Sequence, residues 1–139
     1  NASFNGTADI TLAQMGAQPV LSVVTEDITS SCVGTNLDIQ FVHHQQYGKL
    51  HILYIAAKNT ATSGTWAVNI AFPSKVNIPT REAYHICATG SGFLESDYSY
   101  YPVAAENSSS EHNKLYFRCT STLLKLNTVF EISVVYMEP

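Results

Sequence analysis

The clearest pattern in the chain is a pair of apolar runs between Leu50 and Phe72, separated by a polar loop. In the first run, residues 50–57, apolar side chains fall on both alternating faces, which is typical of a strand covered on both sides. In the second run, residues 65–72, large apolar side chains fall on one face only. The pattern predicts a central β-hairpin in a sandwich core. Alternatively, the second face of the first arm packs on a neighbouring subunit.

The rest of the chain is a series of short runs with the periodicity of strands. These runs cover residues 20–24, 37–43, 83–88, 114–119, 123–126 and 130–136. Polar or glycine-rich segments at 43–48 and 89–92 are typical of turns, and Pro102 is expected to end an edge strand. No segment predicts a helix longer than one turn. We therefore expect an all-β fold, an antiparallel β-sandwich or barrel, jelly-roll-like, with about eight strands.

Charge and aromatic content narrow the classes of partner. Charged residues make up only 13% of the chain, against about 25% in typical soluble domains, and there are eight Tyr. The net charge is −4, and the seven Lys and Arg are scattered. Because phosphate binding needs clustered positive charge, we expect no nucleic acid partner. A surface with few charges suits neutral polar ligands or burial in an oligomer.

Cysteine usage and hydropathy give further expectations. The three cysteines are widely spaced and odd in number, which argues against a disulfide framework and a Cys-type zinc site. We therefore expect folding in a reducing compartment, with no cofactor and no metal. No apolar run approaches the roughly 20 residues that span a bilayer, and no signal peptide opens the chain. We expect no membrane insertion.

The strongest candidate for ligand binding is a tyrosine cluster. Proteins hold sugars by laying an aromatic ring against the saccharide and supplying planar polar groups beside it. Both kinds of group occur together in Asp97, Tyr98, Tyr100 and Tyr101. On an extended segment Tyr98 and Tyr100 share a face and Tyr101 lies opposite. The alternative is that these tyrosines pack at a sheet edge or in a subunit interface.

Three other residues are candidates for the same saccharide site. His43 and His44 belong to a polar segment, for which an exposed turn is the alternative. Trp66 is the only Trp, and a place in the core is its alternative. Adjacent histidines on a strand point to opposite faces and cannot share one metal ion. A single histidine per chain on a threefold axis is the one arrangement that would still bind a metal.

Catalysis has no recognisable motif in this sequence. The chain contains no Gly-x-Ser-x-Gly elbow, no His-Glu-x-x-His and no glycine-rich phosphate loop. Glu95 and Asp97 are two residues apart and share a face on a strand, but solvated charges at a sheet edge are the favoured explanation for them. We therefore expect a binding protein that is not an enzyme.

A resemblance to a known family supports this expectation. The residues from Phe4 to Leu12 resemble a phrase that recurs in the shafts and necks of bacteriophage tail fibres, before a receptor-binding tip. More loosely, Gly48–Leu53, the Trp66 run, Phe72-Pro73 with Ile78-Pro79 and the terminal strand resemble the heads of siphophage receptor-binding proteins. The resemblance implies a neck segment over residues 1–18 and a receptor-binding head over 19–139.

The family implies a role as well as a fold. Its heads are compact antiparallel sandwiches or barrels that assemble as homotrimers on the tail fibre or baseplate. The implied function is non-catalytic recognition of a bacterial cell-surface saccharide during host adsorption. The implied location is the phage tail tip of the virion, after folding in the bacterial cytoplasm. Two alternatives stay open: a fibre-tip polysaccharide depolymerase, and a purely structural trimerising cap.

Overall fold

A computed structural model describes residues 23–61, 68–80, 86–119 and 125–138. These ranges contain nine strands and one short 3₁₀ turn, Thr29–Ser31. The strands are β1 (Val23–Asp27), β2 (Val33–Thr35), β3 (Leu37–Tyr47), β4 (Leu50–Asn59), β5 (Asn69–Ala71), β6 (Ile86–Leu94), β7 (Ser99–Asn107), β8 (Lys114–Cys119) and β9 (Val129–Met137). The predicted neck, residues 1–18, lies outside the described residues.

All nine strands belong to one antiparallel sheet that curls into a half-barrel. Its order is β1-β3-β4-β9-β6-β7-β8-β5-β2. The two edge strands, β1 and β2, are consecutive in the chain and are joined by the 3₁₀ turn. The side chain of Asp27 accepts hydrogen bonds from the backbone nitrogen and the hydroxyl of Thr29, which fixes this connection. The predicted all-β antiparallel fold is confirmed.

The predicted central hairpin is wrong in its pairing. The run at 50–57 does form a strand, but β4 pairs with β3 and β9, whereas β5 pairs with β8 and β2. The hairpin partner of β4 is β3, across a tight turn where Gly48 has φ 61°. The polar segment at 43–48 is therefore mostly strand, because alternate side chains of β3 face a buried interior.

The predicted turn at 89–92 is also wrong, because these residues lie inside β6. A Cβ on Gly90 would lie 2.3 Å from the carbonyl oxygen of Glu131, and one on Gly92 would lie 2.7 Å from Thr128 Cγ2. These glycines therefore serve close approach between strands rather than a turn. Pro102 does not end its strand either. It lies within β7, and the pairing of β7 with β8 begins only at Val103.

The core lies on the concave side of the sheet. Alternate residues of β4 and β9 are buried there, and Phe117 packs on Phe130 with ring centroids 5.0 Å apart. The opposite face of β4 carries Leu50, Ile52, Tyr54 and Ala56, which are partly or largely exposed. Within the described chain β4 is thus covered on one face only. The apolar residues of its outer face form part of the surface considered next.

Two predicted features fall at the limits of the described ranges. The predicted strand over 123–126 lies partly outside them, and its described end, Leu126, is in a turn. Trp66 lies outside the described residues. None of the helical structure in the described ranges is long and apolar enough to cross a lipid bilayer.

Candidate functional site

The outer face of the sheet contains three adjoining depressions. The largest, about 890 Å³, is lined by residues that include Lys58, Phe93, Tyr98 and Val129. The second, about 330 Å³, includes Phe41, His43, Tyr54 and Glu131, and the third, about 320 Å³, includes Ser91, Phe93, Tyr100 and Glu131. Glu131 is common to the second and third, and Phe93 to the first and third. We call this continuous surface the trough.

Strand register explains why these side chains face the same way. Phe41 lies opposite Ala56, Ala56 opposite Glu131, and Glu131 opposite Ser91, so one row crosses β3, β4, β9 and β6. The small side chains of Ala56 and Ser91 leave a hollow on each side of Glu131. A parallel row places Val129 beside Phe93 and Phe93 beside Tyr100.

The size of the trough follows from the strand spacing. From β3 to β7 it crosses four inter-strand steps of about 4.8 Å each, or roughly 19 Å in all. This distance is longer than one sugar ring. The trough is therefore suited to an extended ligand rather than to a monosaccharide.

The most exposed part of the trough is an aromatic turn between β6 and β7. Tyr98 is 82% exposed and Tyr100 is 76% exposed, and both flank Phe93. The centroid of the Phe93 ring lies 6.5 Å from that of Tyr98 and 5.1 Å from that of Tyr100. Tyr98 has φ 54°, in the left-handed region that is costly for a bulky residue. Exposed aromatic rings held in a strained turn indicate a binding surface.

Hydrogen bonds among three polar side chains, Asp97, Tyr101 and Lys125, support this turn from the other face of the sheet. Tyr101 donates a hydrogen bond from its hydroxyl to Asp97 Oδ2 at 3.0 Å, and Lys125 Nζ contacts both groups. Hydrogen bonds from Ser99, Tyr101 and Lys125 lower the pKa of the Asp97 carboxyl to about 2. Asp97 and Tyr101 therefore position the turn, whereas Tyr98 and Tyr100 line the trough. The expectation that Tyr101 lies opposite Tyr100 agrees with this register.

The two adjacent histidines lie on opposite faces of β3. His43 lines the trough, where its ring meets Phe41 edge-on at 5.3 Å and lies across from Tyr54. His44 points into the interior and is 1% exposed. The prediction of an exposed polar turn is thus wrong, because both histidines lie within β3 and His44 is also buried. A buried side chain of this kind cannot contact a surface saccharide, so His44 has no place in the site.

The interior around His44 is a chain of titratable groups. His44 Nδ1 lies 3.0 Å from Glu26 Oε1, and His44 Nε2 lies 2.9 Å from His51 Nδ1. His51 stacks on Tyr136 with ring centroids 4.8 Å apart, and Glu26 also binds Lys75. The network connects β1, β3, β4, β9 and the segment after β5. It is a structural element of the half-barrel rather than a part of the trough.

Several residues of the trough were not predicted from the sequence. Phe41, Tyr54, Phe93 and Glu131 all line it. Phe93 and Glu131 occupy outward positions of an alternating strand, and this is the only signal that could have indicated them. Nothing in the sequence showed that β6 and β9 are neighbours. No group of three or more His, Cys, Asp or Glu in the described ranges is placed to hold a metal ion.

Comparison with known proteins provides no relative. No family model matches the chain, and neither a curated protein nor a solved structure shows significant similarity to it. What the site can do therefore follows from its own geometry. An elongated trough with exposed aromatic rings, hydroxyls and carboxylates can hold a hydroxyl-rich ligand by stacking and hydrogen bonding.

Proposed function

We propose that this chain is the receptor-binding head of a phage tail fibre or baseplate protein, which recognises a bacterial cell-surface saccharide. Binding is reversible and non-catalytic, and it takes place during host adsorption. The observation that carries the proposal is the aromatic turn: Tyr98 and Tyr100 present exposed rings beside Phe93, at one end of an elongated trough. The resemblance of residues 4–12 to tail fibre necks supports the same function.

The proposal includes a homotrimer with a jelly-roll-like head. On the outer face, one register row runs through Val23, Tyr47, Leu50 and Met137, and the next row pairs Ile52 with Val135. We call these six residues the apolar end of the sheet. Val23, Val135 and Met137 are each more than half exposed. Burying such side chains against another copy would remove apolar surface from water.

The position of the apolar end gives the trimer a functional consequence. It lies along the same strands, β3, β4 and β9, as the part of the trough that contains His43 and Tyr54. A neighbouring copy seated there would border the trough. Three weak sites on one trimer, repeated over several fibres, would bind a cell with high avidity.

Adsorption to host cells tests the proposal. The variants are Tyr98→Ala and Tyr100→Ala, and the matched control is Tyr116→Ala on β8, away from the trough. We expect each trough variant to weaken binding of the chain to host cells or their purified surface polysaccharide by about tenfold, because a stacked ring is lost. The control should bind like the unmodified chain.

Two results would contradict the proposal. One is host binding that survives both trough substitutions together while circular dichroism shows an intact fold. The other is the appearance of new reducing ends when the chain is incubated with host polysaccharide, which would indicate a depolymerase.

A further inference from the structure

The central depression of the trough has an unusual mixture of side chains. Its walls include the rings of Phe93 and Tyr100, the hydroxyl of Ser91 and the carboxylates of Glu95 and Glu131. Among the described residues, its lining contains no Lys, Arg or His. The described part of this hollow therefore presents two carboxylates and two aromatic rings.

These two carboxylates differ from most others in the described part of the chain. Glu26, Asp97 and Glu111 each bind a lysine, and Glu106 binds Arg118. Within the described residues Glu95 and Glu131 make no ion pair and no side-chain hydrogen bond. Both are exposed, so each has its oxygen atoms available to a ligand. The net charge of −4 adds to the attraction for a cationic ligand.

We propose that this central depression selects a saccharide that carries a protonated amine, and this inference rests on the proposed function. An ammonium group is attracted to the face of an aromatic ring within about 6 Å of its centroid. Carboxylates form its strongest hydrogen bonds. Phe93 and Tyr100, with centroids 5.1 Å apart, provide the rings, and Glu131 in the lining provides a carboxylate.

One basic residue close to the central depression lines a different part of the trough. Lys58 lines the largest depression, and it lies across from Val129 on β9, with Phe93 beyond Val129 in the same row. Lys58 is also the diagonal cross-strand neighbour of Glu131, but in the described chain the two side chains form no ion pair. Both carboxylates of the central depression therefore stay unpaired.

The test compares two probes of equal length, glucosamine oligomers and N-acetylglucosamine oligomers, at mildly acidic pH where the free amines carry protons. Titration calorimetry measures their binding to the unmodified chain, to Glu131→Gln and to Glu111→Gln. Glu111→Gln removes the same charge outside the three depressions, beside Lys114 at the start of β8. We expect the glucosamine oligomers to bind more tightly, and Glu131→Gln to weaken that binding about fivefold. Glu111→Gln should have little effect.

Several outcomes would overturn the inference. These are equal binding of the two probes, tighter binding of the acetylated probe, no binding of the amine probe, or equal losses in Glu131→Gln and Glu111→Gln. The proposed function is decided separately by adsorption to host cells with Tyr98→Ala and Tyr100→Ala. If the chain adsorbs through these tyrosines but does not prefer amines, the proposed function is supported and only the proposed amine specificity is contradicted.

Discussion

At the scale of single residues, hydrogen bonding defines which ring nitrogens of the buried pair His44 and His51 carry a proton. Because a carboxylate only accepts, His44 Nδ1–H donates to Glu26 Oε1. In the neutral pair, His51 Nδ1–H then donates to His44 Nε2, and His51 Nε2 is left as an acceptor without a hydrogen-bond partner. It lies 3.8 Å from Glu138 Oε2. A first added proton would bind to His51 Nε2, which could then donate to Glu138. A second would bind to His44 Nε2, where it would face the hydrogen already on His51 Nδ1.

This arrangement predicts that acid destabilises the fold through the histidine pair. Burial lowers the pKa of His51 below its ordinary value, and the neighbouring His44 lowers it further. Below about pH 6.5 the unfolded chain therefore binds more protons than the folded one. Stability should fall as the pH decreases from about 6.5 toward the lowered pKa, by up to about 1.4 kcal/mol per pH unit.

Urea unfolding at a series of pH values measures this effect. His51→Gln should reduce the slope of unfolding free energy against pH, whereas His43→Gln, on the outer face of β3, should preserve it. A slope that is the same in all three proteins would show that the pair does not control acid stability.

Tyr98 illustrates a residue whose conformation conflicts with its type. Its φ of 54° is easy for glycine and costs a bulky side chain about 1–2 kcal/mol. In Tyr98→Gly, relief of this strain should offset the lost contact with Phe93 and the greater freedom of the unfolded chain. We expect the free energy of unfolding to change by less than about 1 kcal/mol, while saccharide binding is lost. A large loss of stability, measured by urea unfolding, would assign Tyr98 a structural role instead.

At the scale of elements, the contact of β6 with β9 depends on missing side chains. An added Cβ at Gly90 would come within 3 Å of both the Glu131 carbonyl oxygen and Ile132 Cβ. Overpacking of this kind costs about 1–3 kcal/mol. Gly90→Ala should therefore lower the free energy of unfolding by about 2 kcal/mol, as measured by urea titration. Ser91→Ala, on the exposed face of the same strand, is the control and should change it by less than about 0.5 kcal/mol.

The same strand pair also positions the trough. Glu131 and Val129 of β9 lie beside Ser91 and Phe93 of β6. A displacement of β6 in Gly90→Ala would move Phe93 away from Glu131. We therefore expect saccharide binding to weaken together with stability in this variant.

At the scale of the whole molecule, the half-barrel leaves its apolar end without a cover in the described chain. Light scattering of the purified protein should show a mass three times that of one chain. Val135→Lys and Met137→Lys, combined, should shift the protein to monomers, because two charges would be buried in the interface. Val33→Lys changes an exposed position on the edge strand β2, which is distant from β9 in the strand order, and this variant should remain a trimer. A monomeric unmodified chain would contradict the trimer.

The sequence by itself determined the class of the fold and provided candidates for a binding site. Alternation of apolar and polar residues in segment 130–136 is a local signal, and β9 follows it. Segment 37–43 forms the predicted strand, but a register shift between Ile39 and Phe41 breaks its alternation, so that Phe41 is exposed and Val42 is buried. Tyr98 and Tyr100 were recognisable as binding candidates because ring and hydroxyl groups are properties of the residue. The resemblance in residues 4–12 led to the proposed family, and that part of the chain lies outside the described residues.

Only the tertiary structure decided which strands are neighbours. The apolar runs at 50–57 and 65–72 suggested a hairpin, yet β4 pairs with β3 and β9. Glycines at 90 and 92 suggested a turn, but they allow β6 to approach β9. His43 and His44 are adjacent, and side chains alternate between the two faces of β3. Which face is buried depends on the other strands, and it places His43 in the trough and His44 in the core. Strand pairing depends on packing between residues that are distant in the chain. The alternation of residues along one strand therefore does not show which strand will be its neighbour.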